Sequence, residues 1–425
     1  MKKIFNFQFS IFNLLGHPLF AGSFIMIFGS NAVSFLNYLY HLIMGRMLGP
    51  ANYGELAAII SLMGLVGIIP GAVNLVIIKQ VSSAKNEKEL NGLVLWFKKN
   101  FFIASLIYSL LVLVSSPVVA SFLKIDNLFY LILVSVFFLF SLQASLNRSV
   151  LQGLLKFKEM VISILVENST KLTISIFLVY LGFQVGGAIL AFVLAALLGL
   201  YITIYYLRLQ DRPVGNVKIS PDIKPMLTFA IPVALQSIAV TSLYSSDVIL
   251  VKHFFSTYEA GIYAALSNLG KIIFFGAGPI GAVMFPLISQ RNARGEDYKK
   301  IFLYSFFTTI MLSASIMFVY WLYPQLAIRL LYGTAYLEAS NLLIWFGIFI
   351  SLFTLSSLLI NYSLSLGKTS IVILPLIAAL AQIIMIWFFH QSLFIVILIS
   401  IIVNALLLMS LLIYSTYGKF IHVRR

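Results

Sequence analysis

A chain of 425 residues that is 61% apolar and 10% charged, with a mean hydropathy of +1.03, lies far from the globular norm of about 45–50% apolar and about 25% charged. That composition excludes a cytosolic enzyme, a secreted disulfide scaffold and a disordered chain, and it leaves a polytopic membrane protein. The 28 Lys and Arg outweigh 13 Asp and Glu, for a net charge of +15, and the absence of cysteine removes disulfides, thiolate metal sites and thiol catalysis.

Crossing about 30 Å of hydrocarbon takes about 20 apolar residues at about 1.5 Å each, with every backbone group paired internally. Twelve stretches satisfy this, near 20–45, 56–78, 101–123, 128–151, 160–181, 186–207, 226–251, 260–288, 301–323, 340–364, 371–389 and 393–414. Ahead of them, Met1 to Pro18 begins with two lysines and spaces Phe5, Phe7, Phe9 and Phe12 among polar residues. With no small-residue cleavage site before a soluble domain, it reads as an interfacial segment rather than a signal peptide. The longest polar break near the middle, Arg208 to Lys224, divides the spans six and six. The expected organisation is therefore an interfacial segment (1–18), a six-helix bundle (19–207), a cytoplasmic linker (208–225), a second six-helix bundle (226–414) and a basic tail (415–425).

An even number of spans puts both termini on one side, and the Lys/Arg bias of short loops identifies the side. Alternate loops and termini hold 21 of the 28 basic residues on one side, against Arg46, Lys124, Lys252 and Arg329 on the other. Both termini are accordingly expected in the cytoplasm of a cell whose inner membrane holds the protein.

The two halves carry a trace of duplication. Gly54, Ala57, Ala58, Leu62 and Gly71 of span 2 recur 207 residues later as Gly261, Ala264, Ala265, Leu269 and Gly278 of span 8. Each of these spans also holds a proline, Pro70 or Pro279, which removes one helical hydrogen bond and favours a kink. Glycines around these prolines suit close helix packing or a hinge, and the two readings are compatible.

Charges inside the spans are the sharpest functional signal, because a central ionised side chain costs at least about 2.5–3.5 kcal/mol and usually faces a partner or water. Lys171 in span 5 and Lys271 in span 8 each sit about 16–18 Å deep, one in each half. Asn168 and Asn268 precede them by three residues on the same helix face. Glu167, four residues before Lys171, is placed to neutralise it, whereas Lys271 has no acidic residue at helical spacing. Asp247 in span 7 lies about five residues from the outer end, too shallow for an easy contact with Lys271, and Arg148 and Arg46, near span ends, read as snorkelling to headgroups. Two lysines flanked by amides suit an anionic head group whose apolar tail stays in lipid.

Other patterns fail on context. Gly276, Gly278 and Gly281 spell a dinucleotide signature but lie within an apolar helix, and Gly367-Lys368-Thr369 lacks the first glycine of a phosphate loop, position 362 being Tyr362. The five histidines are scattered, so no metal or cofactor is expected, nor any nucleic-acid partner.

The run Arg46-Met47-Leu48-Gly49-Pro50-Ala51-Asn52-Tyr53-Gly54-Glu55-Leu56, followed by Ala57-Ala58 and Pro70-Gly71, resembles the outer hairpin of polysaccharide (O-antigen type) flippases of the multidrug/oligosaccharidyl-lipid/polysaccharide (MOP) exporter superfamily. The specific likeness covers residues 20–80. It implies an all-α protein of twelve spans in two six-helix bundles around a central cationic cavity, one that moves a polyprenyl-diphosphate-linked oligosaccharide by alternating access. On that resemblance Lys171, Lys271, Asn168, Asn268 and Arg46 become candidate substrate contacts. Glu167 and Asp247 become candidate coupling carboxylates, and Pro70 and Pro279 candidate hinges. The implied partners are the lipid-linked substrate, membrane lipids and polysaccharide assembly proteins. The alternatives are a cation-coupled multidrug exporter of the same superfamily and a membrane-embedded polymerase or ligase. Against the last, the longest expected outer loop is only about 324–339.

Overall fold

The computed structural model describes residues 18–84, 86–208 and 223–421. The expected interfacial segment, most of the linker and the end of the tail lie outside the described residues. The elements in order are α1 (Pro18–Val66), α2 (Ile68–Ser82), α3 (Glu87–Leu123), α4 (Phe129–Gly153), α5 (Phe157–Tyr180), α6 (Gln184–Arg208), α7 (Ile223–Phe254), α8 (Thr257–Ala293), α9 (Lys299–Leu322), α10 (Pro324–Leu331), α11 (Ser340–Ser365), α12 (Ile373–Phe388) and α13 (Leu393–Ile421). Short 3-10 turns, Thr334–Ala339 and Thr369–Val372, precede α11 and α12, and no strand occurs among the described residues. The protein is an all-helical, multi-pass membrane protein.

Among the described residues ten helices are long and apolar enough to cross a membrane, and the bent pair Phe28–Val66 with Ile68–Ser82 adds an eleventh. Two of the twelve expected spans, 20–45 and 56–78, fall within that pair, and α1 is interrupted between them at Gly49. Gly49 has φ 71° and ψ 173°, which a residue with a Cβ would adopt only under strain. Pro50 follows, its fixed φ suited to restarting a helix. His41 and Tyr53 bond at 3.2 Å, although twelve residues of straight helix would separate them by about 18 Å. The chain therefore doubles back at Gly49 to form a helical hairpin. The second interruption, at Gly67, places Pro70 in the first turn of α2, where its missing N–H costs little. Pro279 instead lies inside a continuous α8. That helix starts at a capping box, in which Ser256 Oγ accepts from the Glu259 amide at 3.2 Å while the Glu259 carboxylate accepts from the Ser256 amide at 3.0 Å.

Two compact units result. Unit 1 comprises the described residues of Met1–Tyr40, Ile69–Pro117 and Asn127–Ala230; unit 2 comprises those of His41–Ile68, Val118–Asp126 and Ile231–Arg425. The division does not follow the sequence midpoint, since the hairpin His41–Ile68 clusters with the later half of the chain.

In unit 1, α6 packs along both α4 and α5. Its buried face is rich in small residues (Gly187, Ala188, Ala191, Ala195, Ala196, Gly199), which let helix backbones approach closely where lipid supplies no hydrophobic drive. In unit 2, α11 is the central helix, against α8, α9 and α13, and it buries Gly347 with the serines and threonines 351, 354, 356, 363 and 365. Ser351 and Thr354 return their hydroxyls to carbonyls one turn earlier, so these polar groups are satisfied without water. Large apolar side chains such as Val118, Met311 and Phe388 stay exposed, as a surface facing lipid requires.

Candidate functional site

Span 5 of the sequence becomes α5, and its three marked residues separate into two arrangements within unit 1. Lys171 is buried, and its Nζ donates to Asn37 Oδ1 at 2.5 Å and Asn168 Oδ1 at 2.9 Å. The ammonium also lies 5.1 Å from the Tyr40 ring centroid and 5.0 Å from that of Phe192. Two amide oxygens and two aromatic faces thus hold the charge in a cage made of the protein itself. Asn168 is the partner expected from its position; Asn37 and Tyr40, on α1, carry no sequence signal linking them to Lys171.

Glu167 does not serve as the hydrogen-bonding partner of Lys171. It forms an ion pair with Arg148 of α4, whose Nε also donates to Ser163 Oγ at 3.0 Å. Arg148 is thus held by protein rather than reaching out to a headgroup. The physical reason is that both groups are mostly removed from solvent, with side-chain exposures of 15% and 16%, and a charge so placed gains more from an opposite charge than from a distant interface. Gly199 of α6 makes the room: a Cβ there would lie 2.8 Å from an Arg148 nitrogen and would collide with the Glu167 carboxylate.

Lys271 stands differently. Within unit 2 it lines a half-open cavity of about 170 Å³ together with His41, Thr241, Tyr244, Ser267 and Asn268, with further residues of the hairpin, α7 and α8. That volume accommodates several waters or a small anion. The ammonium lies 5.3 Å from the Tyr244 ring centroid, and among the described residues no hydrogen bond or ion pair holds it. Ser267 Oγ, almost fully buried, has no partner either. Among the described residues no acidic side chain lines the cavity. Asp247, one residue from the lining Val248, is fully buried and accepts the Tyr263 hydroxyl at 2.7 Å. Lys271 and Asn268 thus line one cavity with Tyr244 and His41, which sequence spacing does not reveal because they come from other helices, while Asp247 lies outside its lining.

Arg46 is not at this cavity. Its guanidinium reaches the end of α10, donating to the carbonyls of Leu331 at 2.8 Å, Leu330, and Arg329 at 3.5 Å. A cation there satisfies carbonyls that the helix leaves open and complements its dipole. The rest of the hairpin is fastened nearby. Tyr336 donates to the Gly45 carbonyl at 2.7 Å, and Asn268 donates to the Tyr53 hydroxyl at 2.6 Å. Gly54 meets Gly261 backbone to backbone: a Cβ on Gly54 would lie 2.5 Å from the Gly261 nitrogen, and one on Gly261 would strike the Pro50 carbonyl. The first repeated pair, Gly54 and Gly261, is therefore a single close crossing. Lys252, expected in an outer loop, is buried beside this region, its Nζ 3.3 Å from both the Lys124 carbonyl and Thr257 Oγ1, and its charge acts with Glu55 of the hairpin.

This all-helical fold is shared by solved transporter structures. The lipid II flippase MurJ in an inward closed conformation superposes with a TM-score of 0.73 at 16% identity, over 92% of this chain and 87% of that one. An inward-facing multidrug resistance MATE family transporter of the MOP superfamily gives 0.68 at 16% identity, over 90% and 95%. A MOP superfamily transporter from Pyrococcus furiosus, described as having a binding pocket of reverse polarity, gives 0.61 at 16% identity, over 96% and 98%. The uncharacterized membrane protein MJ1375 of Methanocaldococcus jannaschii is 26% identical over 181 residues, 40% of this chain, and the match spans 43% of that relative's length. Residues 19–292 match the family model of polysaccharide biosynthesis proteins, and the chain belongs to that family.

Proposed function

We propose that this protein is a flippase that moves a polyprenyl-diphosphate-linked oligosaccharide from the inner to the outer leaflet of the cytoplasmic membrane by alternating access, with no covalent chemistry of its own. Both termini are cytoplasmic in this reading, the Gly49 hairpin and α10 face outward, and two six-helix halves, 19–207 and 226–414, do the moving. Polysaccharide assembly proteins supply and receive the cargo. The observation that carries the proposal is the cavity around Lys271. Among the described residues an ammonium held by no ion pair, an amide and several hydroxyls face one space with no carboxylate in its lining. That is the chemistry of an anionic head group, and it is the opposite of what a cationic drug would need.

Lys171 and Asn168 contribute a fixed positive charge in unit 1, and Arg46 acts through the hairpin rather than by touching cargo. Glu167 is committed to Arg148, so Asp247 is the coupling carboxylate. Ionised, it offsets the charge of Lys271 and weakens the hold on a diphosphate; neutralised by a proton or a metal cation, it leaves Lys271 to the cargo. Pro279, within α8 eight residues beyond Lys271, is the hinge that lets the cavity-bearing turn move.

The test is flipping of a short-chain polyprenyl-diphosphate oligosaccharide by purified protein in vesicles. Transport of the diphosphate lipid is expected, with little transport of a neutral glycolipid bearing the same sugars; equal transport of both overturns the reading. Asp247→Asn is expected to retain flipping down a cargo gradient while losing its response to an imposed ion gradient. An unchanged ion response removes Asp247 from coupling.

A further inference from the structure

One phenol joins the cavity to the hairpin lock. The Tyr53 hydroxyl accepts from Asn268 Nδ2 at 2.6 Å and bonds His41 Nδ1 at 3.2 Å, and both of those residues line the Lys271 cavity. On its other side the same hydroxyl lies 3.4 Å from that of Tyr332. The rings of Tyr332 and Tyr336 lie tilted and edge-on to that of Tyr53, with centroids 5.8 and 6.4 Å away, and they belong to the segment that Arg46 and Gly45 clasp. Tyr53 is wholly buried and touches neither solvent nor the cavity itself. It is placed to transmit, not to bind.

We infer that Tyr53 is a positioning residue that couples cavity occupancy to the hairpin clasp. An anion entering beside Lys271 competes for the Asn268 N–H and for the His41 ring, Tyr53 loses those partners, and the hairpin His41–Ile68 is freed from α10. The inference rests on the reading of the cavity as an anion site. It gives a reason for clasp and cavity to share a hydroxyl: cargo supplies the differential binding that any shift between two conformations requires. Losing one buried hydrogen bond shifts such an equilibrium by about two- to tenfold, enough to bias the hairpin without making opening obligatory.

Because the chain contains no cysteine, spin labels on Met47→Cys and Leu330→Cys report one pair alone, and both positions are exposed. The probe is inorganic pyrophosphate, added to the full-length protein in nanodiscs, with label separation read by dipolar EPR and binding by calorimetry. In the parent, pyrophosphate is expected to raise the ratio of separated to clasped pairs about two- to tenfold. Tyr53→Phe keeps the ring packing and is expected to bind pyrophosphate as the parent does while losing that response. Tyr332→Phe removes the hydroxyl that meets Tyr53 on the clasp side and is expected to lose the response as well. Asn268→Leu cuts the same link from the cavity end; read at saturating pyrophosphate, it is expected to abolish the response, and it tests the inference should Tyr53→Phe fail to fold.

A merely structural Tyr53 gives the other pattern, in which Tyr53→Phe alters label separation without ligand and leaves the pyrophosphate-induced change intact. That pattern overturns the coupling. Lys271-dependent binding with no hairpin response in the parent overturns the coupling alone, whereas absence of pyrophosphate binding in the parent overturns the cavity reading and the coupling with it.

Discussion

Lys271→Ala is expected to reduce flipping of a diphosphate-linked oligosaccharide by about two orders of magnitude while leaving the protein as stable as before, or more so. The two signs come from the same fact. Removing one partner of a buried charge contact with the cargo costs about 2–5 kcal/mol, and about 1.4 kcal/mol is tenfold in affinity. In the cargo-free protein the ammonium is held by no hydrogen bond or ion pair among the described residues, so its removal relieves a mid-span charge worth at least about 2.5–3.5 kcal/mol. Lys271→Arg keeps the charge and is expected to keep a substantial part of the activity. The matching change at Lys171 has the reverse signature. Lys171→Met leaves the oxygens of Asn37 and Asn168 without their donor, at about 1–3 kcal/mol for a buried group left unsatisfied, so its melting temperature in detergent is expected to fall. Transport assays beside thermal melts of both variants check the pair. Full flipping by Lys271→Ala removes the cavity from the mechanism.

That contrast also marks how far the sequence alone reaches. Mean hydropathy and span length identify an all-helical membrane protein, because those rules depend only on bilayer thickness and backbone pairing. The two mid-span lysines are legible for the same reason: burying a charge is costly wherever it occurs. Their different fates are not legible. Glu167 stands at the ideal helical spacing from Lys171, yet Arg148, nineteen residues earlier on α4, takes it across a helix interface opened by Gly199. No local pattern encodes that pairing. Arg46 misleads in the same way. A lone arginine near a span end suggests snorkelling or cargo contact, and only the three-dimensional position of α10, about 285 residues later in the chain, reveals the carbonyls that it satisfies. The Leu48-Gly49-Pro50 turn and the glycine repeat are visible as letters, whereas their role as one backbone crossing requires the fold.

Gly261→Ala is expected to have the largest effect on the hairpin clasp of any single methyl group added to the chain. The new carbon would occupy the space of the Pro50 carbonyl, with the Pro50 carbonyl carbon and Cα close behind. All three are backbone atoms of a residue whose φ is fixed by its ring, so no rotamer change relieves the clash and the helices must part. Overpacking of this kind costs about 1–3 kcal/mol even where side chains can adjust. Here the displacement also pulls on the bonds from Tyr336 to Gly45 and from Asn268 to Tyr53. A lowered melting temperature is expected, together with label pairs at positions 47 and 330 that remain separated without pyrophosphate. The repeat supplies its own control. Gly71 and Gly278, the other glycine pair of the duplication, have open space where a Cβ would go, and within a helix alanine is favoured over glycine by about 1 kcal/mol. Gly71→Ala and Gly278→Ala are therefore expected to be neutral or stabilising. If Gly261→Ala melts like those two, the backbone crossing of Gly54 and Gly261 does not hold the hairpin.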